Sequence, residues 1–226
     1  MARKQSKGSC VYCGKELAKA GMTKHLVTCS KRQEAIATAE SKKGSSEAIY
    51  HLRVQDAYRN EFWLDLEMRG SKMLLDLDDY LRAIWLECCG HMSQFSLGGA
   101  FAREVGKRRK LNDVFQHSGE LTHIYDFGTS SETVVKCVGV REGYATTKKP
   151  IALMARNNMP DYRCIVCDQP ATHLCMECLY EDQAEGTLCD QHVKNHPHDN
   201  YGDPLPLVNS PRMGMCGYDG PAEAPY

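Results

Sequence analysis

No run of this sequence approaches the length of apolar chain needed to cross a membrane. The first residues, from Met1 through Ser9, lead into no apolar segment of the secretory type. These absences argue against a membrane-bound or exported protein and set the expectation of a reducing cytoplasm. The signatures of common catalytic sites are missing too. There is no Gly-x-Ser-x-Gly elbow and no His-Glu-x-x-His, and Gly106-Lys107 lacks both the upstream glycine and the following Ser/Thr of a phosphate loop. Asp126-Phe127-Gly128 spells the magnesium motif of protein kinases, but without the His-Arg-Asp loop and strand lysine that give it meaning. Net charge is nearly absent as well, with 28 Lys+Arg against 29 Asp+Glu, or −1.

That balance conceals a strong polarity. Residues 1–45 hold ten Lys/Arg against three Asp/Glu (+7), residues 46–160 hold fifteen of each, and residues 161–226 hold three against eleven (−8). A basic head favours polyanions, and an acidic tail favours basic partners or the head itself.

Cysteine, by contrast, is abundant: twelve in 226 residues. In a reducing compartment, thiols at regular short spacing are metal ligands before they are disulfides. From Cys164 to His198 the ligands come in four close pairs: Cys164/Cys167, Cys175/Cys178, Cys189/His192 and His196/His198. Zinc takes four such ligands at tetrahedral corners, and a Cys-x-x-Cys turn offers two thiolates from one tight loop. Sequential pairing would leave two loosely joined halves. Interleaved pairing sets Cys164, Cys167, Cys189 and His192 on one ion and Cys175, Cys178, His196 and His198 on the other, tying the segment into a single knot. The segment is too short and polar for a core of its own, so metal supplies most of its folding free energy, and the interleaved arrangement is favoured. It resembles B-box zinc modules, whose cross-brace serves as a protein-interaction surface. His173 is a spare candidate, more simply read as a polar loop residue.

A second motif lies at the start of the chain: Cys10, Cys13, then His25 after eleven residues and Cys29 after three. Leu17 and Met22 occupy the core positions of a ββα finger, and a helix after Lys19 sets His25 and Cys29 on one face. The motif resembles Cys/His zinc fingers with cysteine as last ligand. Counting back from His25 places Ala18, Gly21 and Lys24 at the base-reading positions, where alanine and glycine offer no hydrogen bonds. Sequence-specific DNA reading is therefore not expected, while phosphate binding through Lys15, Lys19, Lys24, Lys31 and Arg32 is a candidate role. The Lys107–Lys110 basic run reads first as a solvated face. Three closed sites predict three zinc ions per chain.

Between the metal motifs, the pattern predicts an α+β domain: a small mixed sheet with one covering helix. Phe62, Leu64, Leu66 and Met68 alternate with Trp63, Asp65 and Glu67, as in a half-buried strand. Leu77, Leu81, Ile84, Trp85 and Cys88 form a helical apolar stripe capped by Asp76 and ended by Gly90. Leu121–Phe127 and Glu132–Val140 read as a hairpin, and Ile151–Met154 as a last strand. The expected organisation is a basic finger over 1–32, a linker over 33–46, the central domain over 47–157, a double-zinc module over 158–200 and a tail over 201–226.

Tyr50-His-Leu-Arg-Val54, Leu121-Thr-His-Ile-Tyr-Asp-Phe-Gly128 and Ile151-Ala-Leu-Met-Ala-Arg-Asn157, with the ending Asn209-Ser-Pro-Arg-Met-Gly-Met-Cys-Gly-Tyr218, resemble the Ri-plasmid open-reading-frame-three-like family. Some of its members also carry a Cys/His finger and a Cys-rich segment. The resemblance implies a small α+β domain common on bacterial mobile elements, without an established activity. Within the central domain His123 and Tyr125 share a strand face while Asp126 points away, which favours packing over catalysis. The expected function is a non-enzymatic zinc-binding adaptor in the bacterial cytoplasm that docks nucleic acid, protein or both. The alternative is a nucleic-acid enzyme or recombination accessory with its site on the central domain.

Overall fold

Alternating apolar side chains draw the central segments of the chain into strands. The computed structural model describes residues 6–41 and 45–221. In chain order the elements are β1 (Lys7–Cys10), β2 (Glu16–Ala18), α1 (Lys19–Thr28), α2 (Ser30–Glu40), β3 (Glu47–Asp56), β4 (Trp63–Arg69) and α3 (Leu74–Leu81), which runs into a π-helical turn over Arg82–Leu86. There follow β5 (Ser93–Leu97), β6 (Arg103–Val105), α4 (Leu111–Phe115), β7 (Glu120–Tyr125), β8 (Ser131–Gly143) and β9 (Ile151–Asn157). The C-terminal part holds β10 (His173–Leu174), α5 (Met176–Tyr180), β11 (Thr187–Leu188) and β12 (Leu205–Pro206).

The α+β content is as expected; the expected small, mixed sheet is corrected. One nine-stranded sheet runs β2-β1-β9-β4-β3-β8-β7-β5-β6, and every neighbouring pair is antiparallel. The finger accounts for part of the size, as do the short strands β5 and β6 beyond the β7–β8 hairpin. The finger's hairpin β1–β2 does not stand apart but adds to the sheet through β1, with Gly8 opposite Asn157 and Cys10 opposite Ala155. Gly8 permits that approach, since a Cβ there would lie 2.3 Å from the Arg156 carbonyl and 2.5 Å from the Trp63 ring.

Period-two alternation sends the two halves of each central strand to opposite faces. In β3 and β4, Leu52 faces Leu66 and Val54 faces Leu64 across the ladder, and all four pack with Leu74, Leu77 and Leu81 of α3 and with Ile84 and Trp85 of the π-turn. Burying each such side chain contributes about 1.5–3 kcal/mol. The cap of α3 is Met73 rather than Asp76; Asp76 sits one turn in and accepts a hydrogen bond from the Met73 amide at 2.8 Å. Gly90 does not end the helix directly, because helical structure stops at Leu86.

The opposite face of β4 was expected to meet water. It is buried instead: Trp63 and Asp65 are fully covered and Glu67 nearly so. The finger and α2 lie over it. Trp63 joins Cys10, Met22, Leu26, Cys29, Met154 and Ala155 in a second core. Arg53 grips Asp65 with two hydrogen bonds of 2.8 and 2.7 Å, His51 adds a third contact at 2.7 Å, and the same guanidinium donates to the Lys19 carbonyl and Thr23 hydroxyl of the finger. Beside it, Glu67 accepts from Arg32 of α2 at 3.0 Å and from Arg141 at 2.6 Å.

Two expected boundaries therefore fall. Most of the expected 33–46 linker is helix α2, whose Ile36 and Ala39 are buried; residues 42–44 lie outside the described residues, as do 1–5 of the head. The expected tail is packed from Leu205 to Tyr218, apart from its outward-facing turns, while 222–226 lie outside the described residues. β12 pairs with β10, Met213 packs among Leu174 and Met176, and the Ser210 hydroxyl donates to the Trp85 carbonyl at 2.7 Å. No helix among the described residues is long and apolar enough to cross a membrane.

Candidate metal centres

In the finger, β1 delivers Cys10, the turn into β2 delivers Cys13, α1 delivers His25, and the break between α1 and α2 delivers Cys29. Cys29 has extended backbone (φ −66°, ψ 114°), so it ends one helix and starts the next while its thiol turns inward. The Cys13 Sγ–His25 Nε2 separation is 3.3 Å. Met22 fills the small core as expected, Leu17 is only partly buried, and Leu26 joins it. Burial pushes the Cys10 thiol up to about 11, so a neutral-pH thiolate there requires a bound cation to stabilise it.

The C-terminal segment brings its eight ligands together in the interleaved arrangement, Cys164, Cys167, Cys189 and His192 in one group and Cys175, Cys178, His196 and His198 in the other. Cys167 and Cys189 sulfurs are 3.8 Å apart, and the His192 ring nitrogen lies 3.5 Å from Cys164 and 3.4 Å from Cys189. In the second group Cys178 Sγ stands 3.2 Å from both His196 Nε2 and His198 Nδ1. Tetrahedral bonds of about 2.3 Å to sulfur and 2.0–2.1 Å to nitrogen require ligand–ligand edges of about 3.3–3.8 Å, so these separations fit one ion per group. Local structure explains the arrangement: Cys175 caps α5 and accepts the Cys178 amide, as a Cys-x-x-Cys turn does around a metal, while β10 and β11 pair between the two groups. His173 belongs to neither; it sits on β10 with its ring 2.9 Å from the Thr172 hydroxyl.

Among the described residues there are four groups rather than three. Cys88, Cys89, His91 and Cys216 also place one ligand atom each within 4.8 Å of the others. Cys89 Sγ lies 3.0 Å from His91 Nε2, 3.5 Å from Cys216 Sγ and 3.6 Å from Cys88 Sγ. Cys88 does pack against the main core, as its place in the apolar stripe predicts, but its sulfur also joins this group. The π-turn closes an extra-wide ring, with the Glu87 amide bonding the Arg82 carbonyl at 2.9 Å, and this rotates the chain after Leu86 out of α-helical phase. Gly90, at φ +80°, then folds His91 back toward the two thiols. The available signal was a residue count: four cysteines left over from the two motifs, Cys88, Cys89, Cys137 and Cys216, the first two adjacent near the helix end.

Around this fourth group stands a polar shell. Arg212 has a fully buried side chain; it donates to Asp126 Oδ2 at 2.7 Å, to the Thr129 carbonyl at 3.0 Å and to Cys88 Sγ at 3.3 Å. Burial alone would push the Asp126 carboxyl up, but Arg212 and the Gly128 and Thr129 amides outweigh it and hold it below the usual range. Deeper in, Asp78 accepts from Ser93, Lys107, Arg82 and His123. Those donors overcome its desolvation and keep it ionised. Burial lowers the pKa of His123, and its Nδ1 has no hydrogen-bond partner, so the neutral ring that donates from Nε2 to Asp78 is the form that fits. His123, Tyr125 and Asp126 thus serve packing and ion pairing. Each of the four metal groups among the described residues consists of Cys and His alone.

The expected phosphate-binding set is divided by the structure. Lys15 and Lys24 are exposed, and exposed Lys31 pairs with Glu34 at 2.9 Å. Lys19 is half-buried, its amine bonded to Gln55 and the Asn60 carbonyl, and burial together with nearby Arg53 lowers its pKa. Arg32 is a correction: it is buried, spends its guanidinium on Glu67 and the Leu26 carbonyl, and has no surface to offer a phosphate.

No family of known proteins and no curated protein matches the chain. Among solved structures it is similar to a protein of unknown function, MM3350 from Methanosarcina mazei Go1, at 18% identity and a TM-score of 0.40, over 48% of this chain and 67% of that one.

Proposed function

We propose that this chain is a non-enzymatic zinc-built adaptor of the Ri-plasmid open-reading-frame-three-like type, and that it docks a protein partner through its C-terminal knot. The identity of the ion follows from donor chemistry. Sets of Cys3His and Cys2His2 with short tetrahedral edges suit zinc, and four protein ligands leave no open position for a substrate, which marks such sites as structural. The observation that carries the docking role is the knot's surface. Metal coordination supplements a small apolar core there, and Ile165, Val166, Leu179, Tyr180 and Tyr201 are left outward-facing, with the rings of Tyr180 and Tyr201 5.8 Å apart. Apolar and aromatic side chains on a rigid, acidic module suit a partner that presents basic and apolar groups together. Nucleic acid is the second reading, supported by exposed Lys15 and Lys24 on the finger.

The test is a pull-down from native bacterial lysate, with and without nuclease, using the wild type and the double variant Ile165→Asp/Val166→Asp at matched zinc content. Protein bound after nuclease treatment and lost in the variant supports protein docking. Binding that vanishes with nuclease and is indifferent to the knot substitutions transfers the role to the finger.

A further inference from the structure

The fourth group differs from the other three in its construction. Each of those draws its ligands from one module, whereas Cys216 reaches the Cys88-Cys89-x-His91 turn from 125 or more residues away. At least two ligands in each of the others are buried, but Cys89 and Cys216 are exposed and Cys88 and His91 only partly covered. Its backbone is also held under tension: Cys216, a non-glycine, sits at φ +53° between Gly214 at +80° and Gly217 at +69°. Left-handed backbone at a residue with a Cβ persists only where its surroundings hold it there.

We propose that Cys88, Cys89, His91 and Cys216 bind a fourth zinc ion, which clamps the C-terminal segment to the central domain and is the exchangeable ion of the protein. Three thiolates and a neutral imidazole around Zn2+ leave a net charge of −1, and the three thiol protons go to solvent as the ion binds. The Arg212 guanidinium lies 3.3 Å from Cys88 Sγ, where it offsets that charge, and Asp126 fixes its position at 2.7 Å. The clamp stands at a junction. On one side of it the segment carries Met213 into the knot among Leu174 and Met176; on the other it sends Arg212 between Thr129 and Asp126 of the sheet domain. Occupancy of the site therefore sets how firmly the docking knot is held to the sheet. Two exposed sulfurs, Cys89 and Cys216, admit a competing ligand here, whereas the finger and the first knot group each expose one sulfur, Cys13 and Cys167, and the second knot group exposes none.

This inference rests on the zinc reading of the Cys/His groups, and the experiment separates the two. Native mass spectrometry of the full-length, zinc-replete chain should count four zinc ions. A dilute colorimetric chelator should remove one equivalent at least tenfold faster than the other three, with amide exchange rising over residues 209–218. Cys216→Ser should carry three ions and lack the fast equivalent; Cys89→Ser, on the other side of the joint, should behave alike. Three ions in the wild type, a single release rate for all four, or a fast equivalent that survives both substitutions overturns the clamp. Fewer than three slowly released ions overturns instead the structural-zinc reading of finger and knot.

Discussion

Replacing Asp65 with asparagine tests whether the finger is part of the sheet domain or merely tethered to it. The substitution keeps the shape of the side chain and removes its charge. Asp65 has no exposed surface, and its partner Arg53 retains only 9% side-chain exposure, so the guanidinium would be left buried without its counterion. Breaking a buried pair in this way costs about 3–5 kcal/mol. At about 1.4 kcal/mol per tenfold, that corresponds to a loss of roughly two to three and a half orders of magnitude in amide protection. Hydrogen exchange on the zinc-replete protein is the suitable readout, because several metal-bound modules need not unfold as one. The loss should appear in β4 and also in α1, since Arg53 donates to the Lys19 carbonyl and Thr23. Arg53→Met combined with Asp65→Leu should recover much of the loss in β4, because no charge remains to be stranded. A drop of less than tenfold for Asp65→Asn is what an exposed pair worth about 0–1 kcal/mol would give. It would refute the covered polar face and return Asp65 to solvent.

Three further outcomes follow from the site geometry. Cys164→Ser should raise exchange around Cys189 and His192, whose ligand atoms share its group, and leave Cys175 and Cys178 comparatively protected; the reverse pattern would contradict the interleaved knot. His123 has its folded-state pKa lowered by burial, so the unfolded chain binds the extra proton and this residue's contribution to stability falls as pH drops below the ordinary value near 6.5. Nitrogen-15 shifts showing a neutral His123 ring at pH 6 would agree, and an imidazolium there would not. On the finger, only Lys15 and Lys24 remain exposed without a partner in its expected phosphate set, so reversing both should flatten the log–log salt dependence of duplex DNA binding by about 1.8, at about 0.9 per contact; a residual slope of about −1.8 in that variant would require contacts from Lys19 and Arg32, whose side chains are held by internal partners.

The Cys/His groups of the finger and knot were the most legible part of the chain, because a tetrahedral metal site imposes spacing and tight turns impose proximity. Cys164 through His198 declared both the ligands and, through the economy of a single knot, their pairing. The strands and the main helix were legible from periodicity for the same reason. What period-two alternation cannot report is who covers the second face. Asp65 and Glu67 look like residues for water, and they are residues for Arg53 and Arg32, which arrive from other segments with charges of their own. Arg32 was misread in turn: a basic residue in a basic head is a reasonable phosphate ligand until its partner is seen. The Cys88 group was hidden differently. Adjacent cysteines match no common zinc spacing, the π-turn breaks the helical phase that seemed to account for Cys88, and Cys216 lies at the far end of the chain.

The seating of β1 against β9 has a consequence for how the protein is made. Gly8 and Cys10 leave the ribosome nearly 150 residues before Asn157 and Ala155, their ladder partners. The finger's four ligands are complete once Cys29 has emerged, so it can take its ion while the remainder is still being translated. Its hydrophobic underside, Met22 and Leu26, and the guanidinium of Arg32 must then wait for Trp63, Glu67 and finally Met154. Metallation at that stage would shorten the hazard of that wait, because a finger closed on an ion presents a formed surface rather than a loose strand to neighbouring nascent chains. The last strand of the sheet domain is thus also the latch for its first, and a chain truncated before Ile151 would keep the contacts of Arg53 and Trp63 with the finger but leave β1 without its ladder partner.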